Sequence, residues 1–376
     1  MHPAKNFNGL LILSLALLLL WAGAASAGVP SPKPQTSGPH TPEHQLANLG
    51  DFRFENGVVI KDFKVSYVTY GKLSPKKDNV ILVMHYFASD HHGFDFLIGP
   101  GKALDTDKYY IVATDMLGNS RPILDLTTGP TNSGLKMEFP RYTIRESVNV
   151  EHKLLKEYLG FDHILAAAGI SFGAMKAYQF AVSYPGYVSG IIPIMGSPMT
   201  SPQMRLVLES WTKIIEIDNG WYSGNYDTNP TMGLDIVFQN LNLWIKTYGW
   251  FATNVNTEED YRGWTKSYAW WMPQDARDIY YQLQAWADFN VGDTSGFNGD
   301  AKAALQSTKA QVLIIGAKGD LLFNREELIF AKNTIPKATH VEIDSPHGHT
   351  SCCGYFDREA TKVIDQEIAK FLAKLR

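Results

Sequence analysis

An α/β architecture, a mainly parallel sheet flanked by helices, is predicted by three features of the sequence. Short apolar runs alternate with amphipathic helical stretches along most of the chain. One such run stops at Gly169-Ile170-Ser171-Phe172-Gly173 and passes at once into a helical pattern. A long tryptophan-rich segment, from about Thr200 to Gln306, interrupts the alternation once.

The chain opens with Lys5 in a short polar lead, an almost wholly apolar stretch from Gly9 to Trp21, and the small residues Ala25-Ser26-Ala27 before Gly28. That order of charge, apolar core and A-x-A site reads as a secretory signal peptide over residues 1–27. The mature protein is then expected to be secreted or periplasmic, with no stable membrane anchor after cleavage. No cysteine stands at the cleavage site, so lipidation is not expected. Residues 28–48, rich in Pro, Ser, Thr and Gly up to Pro42, read as a flexible leader. The remaining chain divides into a first part of the core (49–199), a helical lid (200–306) and a second part of the core (307–376).

Within the core, Phe52 to Phe54, Val58 to Ile60 and Lys64 to Tyr70 alternate or are β-branched and are broken by Gly57 and Gly71, as antiparallel strands are. Val80 to Met84, Tyr109 to Ala113, Ile164 to Ala168, Gly190 to Ile194, Val312 to Ile315 and His340 to Ile343 follow. Most are near-continuous apolar runs, the pattern of parallel strands buried on both faces. Helical patterns lie between them at Thr143 to Leu159, Ala174 to Ser183, Glu326 to Asn333 and Arg358 to Leu375; the first opens with the capping box Thr143-Ile-Arg-Glu146. The inserted segment carries Trp211, Trp221, Trp244, Trp250, Trp264, Trp270, Trp271 and Trp286 and shows no clear strand. Entering where a core strand ends, it is placed to cover a pocket with apolar walls, although any single tryptophan there is expected to serve the insertion's own core.

The bulk properties exclude several classes of function. With 376 residues and 45% hydrophobic content the chain can bury a large core. A formal charge of -4 and the lack of a long basic run exclude nucleic acid as the main partner. A small-molecule acyl substrate fits better. The two cysteines, Cys352 and Cys353, are adjacent, so no long-range disulfide framework exists and two reduced or buried thiols are expected. Monomer and homodimer both remain open.

Gly169-Ile-Ser-Phe-Gly173 is G-x-S-x-G at a strand-to-helix turn, which exposes the Ser171 hydroxyl at the top of the sheet and points the next helix N-terminus toward developing negative charge. Serine is a weak nucleophile at neutral pH, so a base and an orienting carboxylate must follow in the order Ser, acid, His. Asp320 ends the apolar run Gln311 to Gly319, and Asp344 is its competitor; His347 and His349 both lie in Ser345-Pro-His-Gly-His-Thr350 and spacing does not separate them. An oxyanion hole requires two backbone donors, here expected from Phe172 and from Phe87 in the loop His85-Tyr-Phe-Ala-Ser-Asp-His-His92.

Two other stretches imitate functional motifs. His85, Asp90, His91, His92 and Asp95 are potential metal ligands, which makes a metal-dependent hydrolase an alternative, but such residues near a pocket mouth are ordinarily polar loop and no metal is expected. Gly99-Pro-Gly-Lys102 imitates a phosphate loop, but residue 96 is Phe and residue 103 is Ala, so no phosphate cofactor is expected either.

Leu97 to Asp107, Phe139 to Arg145, Gly169 to Met175 with Ala181 to Pro185, Asp218 to Tyr226, and Asp320-Leu-Leu-Phe323 with Gly348-His349 together resemble the homoserine O-acetyltransferase-like family of the α/β-hydrolase fold. The resemblance runs from roughly Tyr67 to the C-terminus. It implies that fold with a helical lid insertion, a Ser171-Asp320-His349 triad, and His349 rather than His347 as the base. It also marks differences: His85-Tyr-Phe-Ala-Ser89 stands in place of a His-Ala-Leu-Thr-Gly type loop, Leu117-Gly-Asn-Ser-Arg-Pro122 in place of a longer glycine- and serine-rich stretch, and Thr212 where arginine is common. These changes surround the substrate and leave acyl-serine chemistry intact. Export removes the chain from acetyl-CoA, so the expected activity is ester hydrolysis, with acyl transfer of the homoserine O-acetyltransferase type as the alternative.

Overall fold

The computed structural model describes residues 44–115, 117–118, 126–266, 274–354 and 356–375. Residues 1–27, read as a signal peptide, most of the stretch read as a leader, the stretch after Gly118 and two of the tryptophans, Trp270 and Trp271, lie outside these residues.

Among the described residues, ten strands and ten helices follow in chain order. β1 (Gln45–Asn48), β2 (Phe52–Arg53), β3 (Val59–Ile60), β4 (Lys64–Tyr70), β5 (Val80–Met84) and β6 (Tyr110–Thr114) precede α1 (Ile144–Lys153). β7 (Ile164–Ile170), α2 (Phe172–Ser183) and β8 (Val188–Ile194) complete the first part of the core. α3 (Pro202–Glu216), α4 (Met232–Trp244), α5 (Tyr248–Asn254), α6 (Glu258–Lys266), α7 (Ala276–Ala287) and α8 (Ala301–Gln306) form the insertion. β9 (Gln311–Ala317), α9 (Arg325–Thr334), β10 (Ala338–Ile343) and α10 (Arg358–Leu375) close the chain.

Eight strands make one sheet in the order β1-β4-β6-β5-β7-β8-β9-β10, while β2 and β3 pair separately. The sheet is parallel from β6 to β10, and β4 and β1 are added antiparallel at one edge. Strand periodicity distributes one run over both faces. In β5, Val80, Leu82 and Met84 join the core beneath α1 and α2, while Ile81 and Val83 join the core beneath α10. Such a sheet is the α/β-hydrolase architecture, with helices on both faces.

Three boundaries differ from the sequence expectation. β1 lies inside residues 28–48, assigned to a flexible leader, and pairs with β4 from Gln45↔Tyr67 to Asn48↔Lys64. Within β1 Ala47 alone is a buried apolar residue, too little for a periodic signal, so backbone pairing at the sheet edge sets the structure. The helix from Thr143 starts with the expected capping box, but past Lys153 it widens into a π-turn at Leu154–Tyr158. α8, within the segment assigned to the lid, packs on α2 and α9 of the core. No helix among the described residues is long and apolar enough to cross a membrane.

Candidate active site

β7 is buried along its whole length and ends directly at Ser171, whose φ of 56° and ψ of -117° are those of a sharp turn. A side-chain-bearing residue in such a conformation costs about 1–3 kcal/mol, which the surrounding packing must hold. Glycine makes the turn possible. A Cβ on Gly169 would lie 1.9 Å from the Gly173 carbonyl oxygen, and one on Gly173 would lie 1.9 Å from that of Met84. The strand, the helix and β5 therefore touch backbone to backbone. The Ser171 N–H donates to the Ile194 carbonyl at 2.8 Å, anchoring the turn to β8.

Behind the turn, α2 is so deeply packed that Lys176 is buried, and its ammonium is paired with the equally buried Glu151 carboxylate of α1. Thr114 at the end of β6 donates to the same carboxylate at 2.9 Å.

Ser171, His349 and Asp320 are joined in one hydrogen-bonded chain. Nε2 of His349 is 3.0 Å from the Ser171 Oγ, and its Nδ1 is 2.8 Å from Asp320 Oδ2. Asp320 follows β9, and its other oxygen accepts the backbone N–H groups of Leu322 at 2.9 Å and Phe323 at 3.2 Å. The carboxylate is thereby fixed in direction. Burial alone would lower the His349 pKa, but the charge and hydrogen bond of Asp320 outweigh it and hold the pKa above the ordinary value. The two competitors fall elsewhere: Asp344 is exposed and pairs with Lys318 at 3.3 Å, and His347 is 3.0 Å from the ammonium of Lys246.

Ser171 and His349 open into a cavity of about 50 Å³ whose walls are Tyr86, Phe87 and Ile170 from the core, Leu241, Ile245 and Trp286 from the lid, and Leu322, Thr350, Cys352, Cys353 and Phe356 from the loops after β9 and β10. Of the tryptophans among the described residues, Trp286 alone reaches this wall; Trp211 is buried in the lid's own packing. Phe87 lines the cavity, and Phe172 is the first residue of α2, so its N–H has no acceptor within the helix. The cysteines are free thiols with their sulfurs 3.6 Å apart.

The lid also grips the two loops that carry the site, through residues that sequence reasoning missed. Gln282 of α7 accepts the Ala88 N–H at 3.0 Å and donates to the Gly118 carbonyl, while Gln274 donates to the Ala88 carbonyl at 3.1 Å. Ala88 has a φ of 55°, so the residue after Phe87 is held in a left-handed turn from both sides. On the histidine loop, Lys246 donates to Thr350 Oγ1 at 2.5 Å and Thr247 Oγ1 to the Pro346 carbonyl at 2.7 Å. No local signal marks them: Asp278, Gln282 and Trp286, four residues apart, share one face of α7, but only their distant partners show that this face is buried.

No protein-family model matches the chain. A homoserine O-acetyltransferase from Nautilia profundicola is 30% identical over 347 residues, covering 79% of this chain and 90% of that protein. Among solved structures, homoserine O-acetyltransferase from Bacillus anthracis superposes with a TM-score of 0.80 at 25% identity, over 89% of this chain and 98% of its own. Esterase E22 superposes with a TM-score of 0.79 at 28% identity, over 88% of this chain and 100% of its own. The structural neighbours thus include both an acyltransferase and an esterase on one scaffold. By its fold and by the extent of these similarities, the chain belongs to the homoserine O-acetyltransferase family of α/β-hydrolase-fold enzymes.

Proposed function

We propose that the protein is an exported serine hydrolase that cleaves short-chain acyl esters through an acyl-Ser171 intermediate. In this reading His349 Nε2 takes the proton from the Ser171 hydroxyl as its oxygen bonds to the ester carbonyl carbon, and Asp320 steadies the imidazolium that forms. The negative oxygen of the tetrahedral intermediate is received by the N–H groups of Phe87 and Phe172. Collapse expels the alcohol, which takes the proton from His349. Water then attacks the acyl-serine by the same route, releasing the acid and restoring the serine.

The observation that carries the choice of water is the cavity wall. Its described residues include no carboxylate, ammonium or guanidinium. Homoserine carries both an amino and a carboxylate charge, and each needs a partner when taken out of water. An acyl chain needs none. A cavity of about 50 Å³ holds more than the roughly 10–15 Å³ that a single water requires, and its narrow apolar walls favour a short acyl group. The signal-peptide pattern of residues 1–27 supports export to the periplasm or beyond, away from acetyl-CoA.

A second reading, transfer of an acetyl group to homoserine or a related alcohol, is favoured by the names of the curated relatives. Incubating the protein with p-nitrophenyl acetate, with and without L-homoserine, separates the two. Hydrolysis is expected to yield acetate in both mixtures. Acetylhomoserine as the main product, from this ester or from acetyl-CoA, would overturn hydrolysis in favour of transfer.

A further inference from the structure

Away from Ser171, the loop that follows β5 meets the residue just ahead of β1. His44, His91 and His92 each bring one ring nitrogen within 4.8 Å of the others, and none of the three lines the cavity at Ser171. The rings are close, with centroids 4.2 Å apart for His44 and His91 and 4.1 Å apart for His91 and His92.

In all three rings Nδ1 is already engaged. His91 Nδ1 is 3.2 Å from the buried carboxylate of Asp115, His92 Nδ1 is 2.7 Å from Asp95, and His44 Nδ1 is 3.3 Å from the hydroxyl of Ser66. The Asp95 carboxylate is itself held by the Tyr70 hydroxyl at 2.9 Å. A carboxylate on Nδ1 fixes the tautomer that leaves the Nε2 lone pair for a ligand, the arrangement found behind metal-bound imidazoles. The decisive atom is Nε2 of His91. It belongs to a residue 2% exposed, and it has no hydrogen-bond partner. A buried imidazole nitrogen with no partner carries a desolvation cost that a bound cation removes.

We propose that His44, His91 and His92 form a binding site for a divalent transition-metal cation of the zinc class, through their Nε2 atoms, with solvent in the fourth position. Zinc at 2.0–2.1 Å from each nitrogen sets the nitrogens about 3.3 Å apart, so the rings need only small rotations to close on it. The sequence reading discounted metal because its five loop candidates offered no further cluster. His85 is turned to the Tyr86 carbonyl at 2.9 Å and Asp90 accepts the His92 N–H at 3.0 Å, so neither joins the set. The missing ligand, His44, lay in the stretch assigned to the leader. Its role here is mechanical: the cation ties the start of β1 at the sheet edge to the loop that carries Phe87.

The test uses the full protein without a polyhistidine tag, stripped with chelator and titrated calorimetrically with ZnCl₂, with MgCl₂ as control. One Zn²⁺ per chain is expected, with a rise in melting temperature, and no response to Mg²⁺. His44→Gln changes an exposed residue and should fold normally while binding Zn²⁺ at least tenfold more weakly; His92→Gln should do the same, and Asp95→Asn should weaken binding about 10–100-fold through ring orientation. Absence of saturable 1:1 binding by the unsubstituted protein overturns the proposal. So does wild-type affinity in either histidine variant whose circular dichroism is native.

Discussion

At the nucleophile turn, the geometry is set almost within the local sequence: β7 stops, Ser171 turns, α2 starts, and Gly169 meets Gly173 four residues on. In the lid the contacts that matter span the chain. Gln282 reaches Ala88 across 194 positions, Gln274 reaches it across 186, and Lys246 reaches Thr350 across 104. The two regions divide the work. The turn aims the serine, whereas the lid fastens the loops on either side of it and closes the cavity wall. Reactivity should therefore respond most to the turn, and selectivity most to the lid.

The largest expected effect is Ser171→Ala, which should lower kcat by about 10⁴-fold or more with the melting temperature unchanged or raised, since the substitution removes the attacking oxygen and leaves the fold. Activity retained in that variant, measured on acetyl esters, would break the assignment of the turn as the reactive centre. Asp320→Asn comes next, at about 10²–10⁴-fold in kcat. It also carries a pH signature. His349 must be neutral to accept the serine proton, so activity falls as pH drops through its pKa, and the native acid limb should lie above the ordinary histidine value. Without the Asp320 charge, burial is left to pull the pKa down, and the limb in kcat/KM should move to lower pH.

Gln282→Ala tests the lid's grip. It strands the buried Ala88 N–H, at a cost of about 1–3 kcal/mol, and frees the turn that follows Phe87. A loss of roughly 10- to 100-fold in kcat with little change in KM is expected, as for a weakened oxyanion contact. An equal loss in the rate of Ser171 labelling by a small phosphonate would agree, because that reaction also builds charge on oxygen. Unchanged kcat would reduce the lid to a cover.

Leu241→Ala should have the smallest effect and sharpen the contrast. Removing part of the apolar wall makes room for longer acyl chains, and each methylene newly buried favours them by about 0.8 kcal/mol, roughly fourfold in kcat/KM. Comparing acetyl, butyryl and hexanoyl esters reads this out. A uniform change across the series would place Leu241 in support of the fold and outside the acyl path.

The same division explains what was legible in the sequence. Val80 to Met84 and the turn at Ser171 are readable because buried parallel strands are apolar throughout and the turn demands glycine at fixed offsets. The ordering Ser, acid, His narrowed the remaining partners to two pairs, and the Gly348-His349 match separated the histidines. β1 was not legible, because its structure comes from pairing with β4 and its four residues carry no periodic pattern. Gln274, Gln282 and Lys246 were not legible either. A buried amide or ammonium is distinguished from a surface one by its distant partner, and the local sequence holds no trace of it.

The central claim is that the acyl group passes through Ser171, and the most direct measurement is acid quench of the protein during turnover of p-nitrophenyl acetate, followed by intact mass and peptide mapping. One acetyl group per chain is predicted on the peptide that contains Ser171, absent from Ser171→Ala and discharged when the quench is delayed until the ester is exhausted. Acetylation at another residue with the same kinetics, or turnover by Ser171→Ala with no acyl-protein formed, would contradict it.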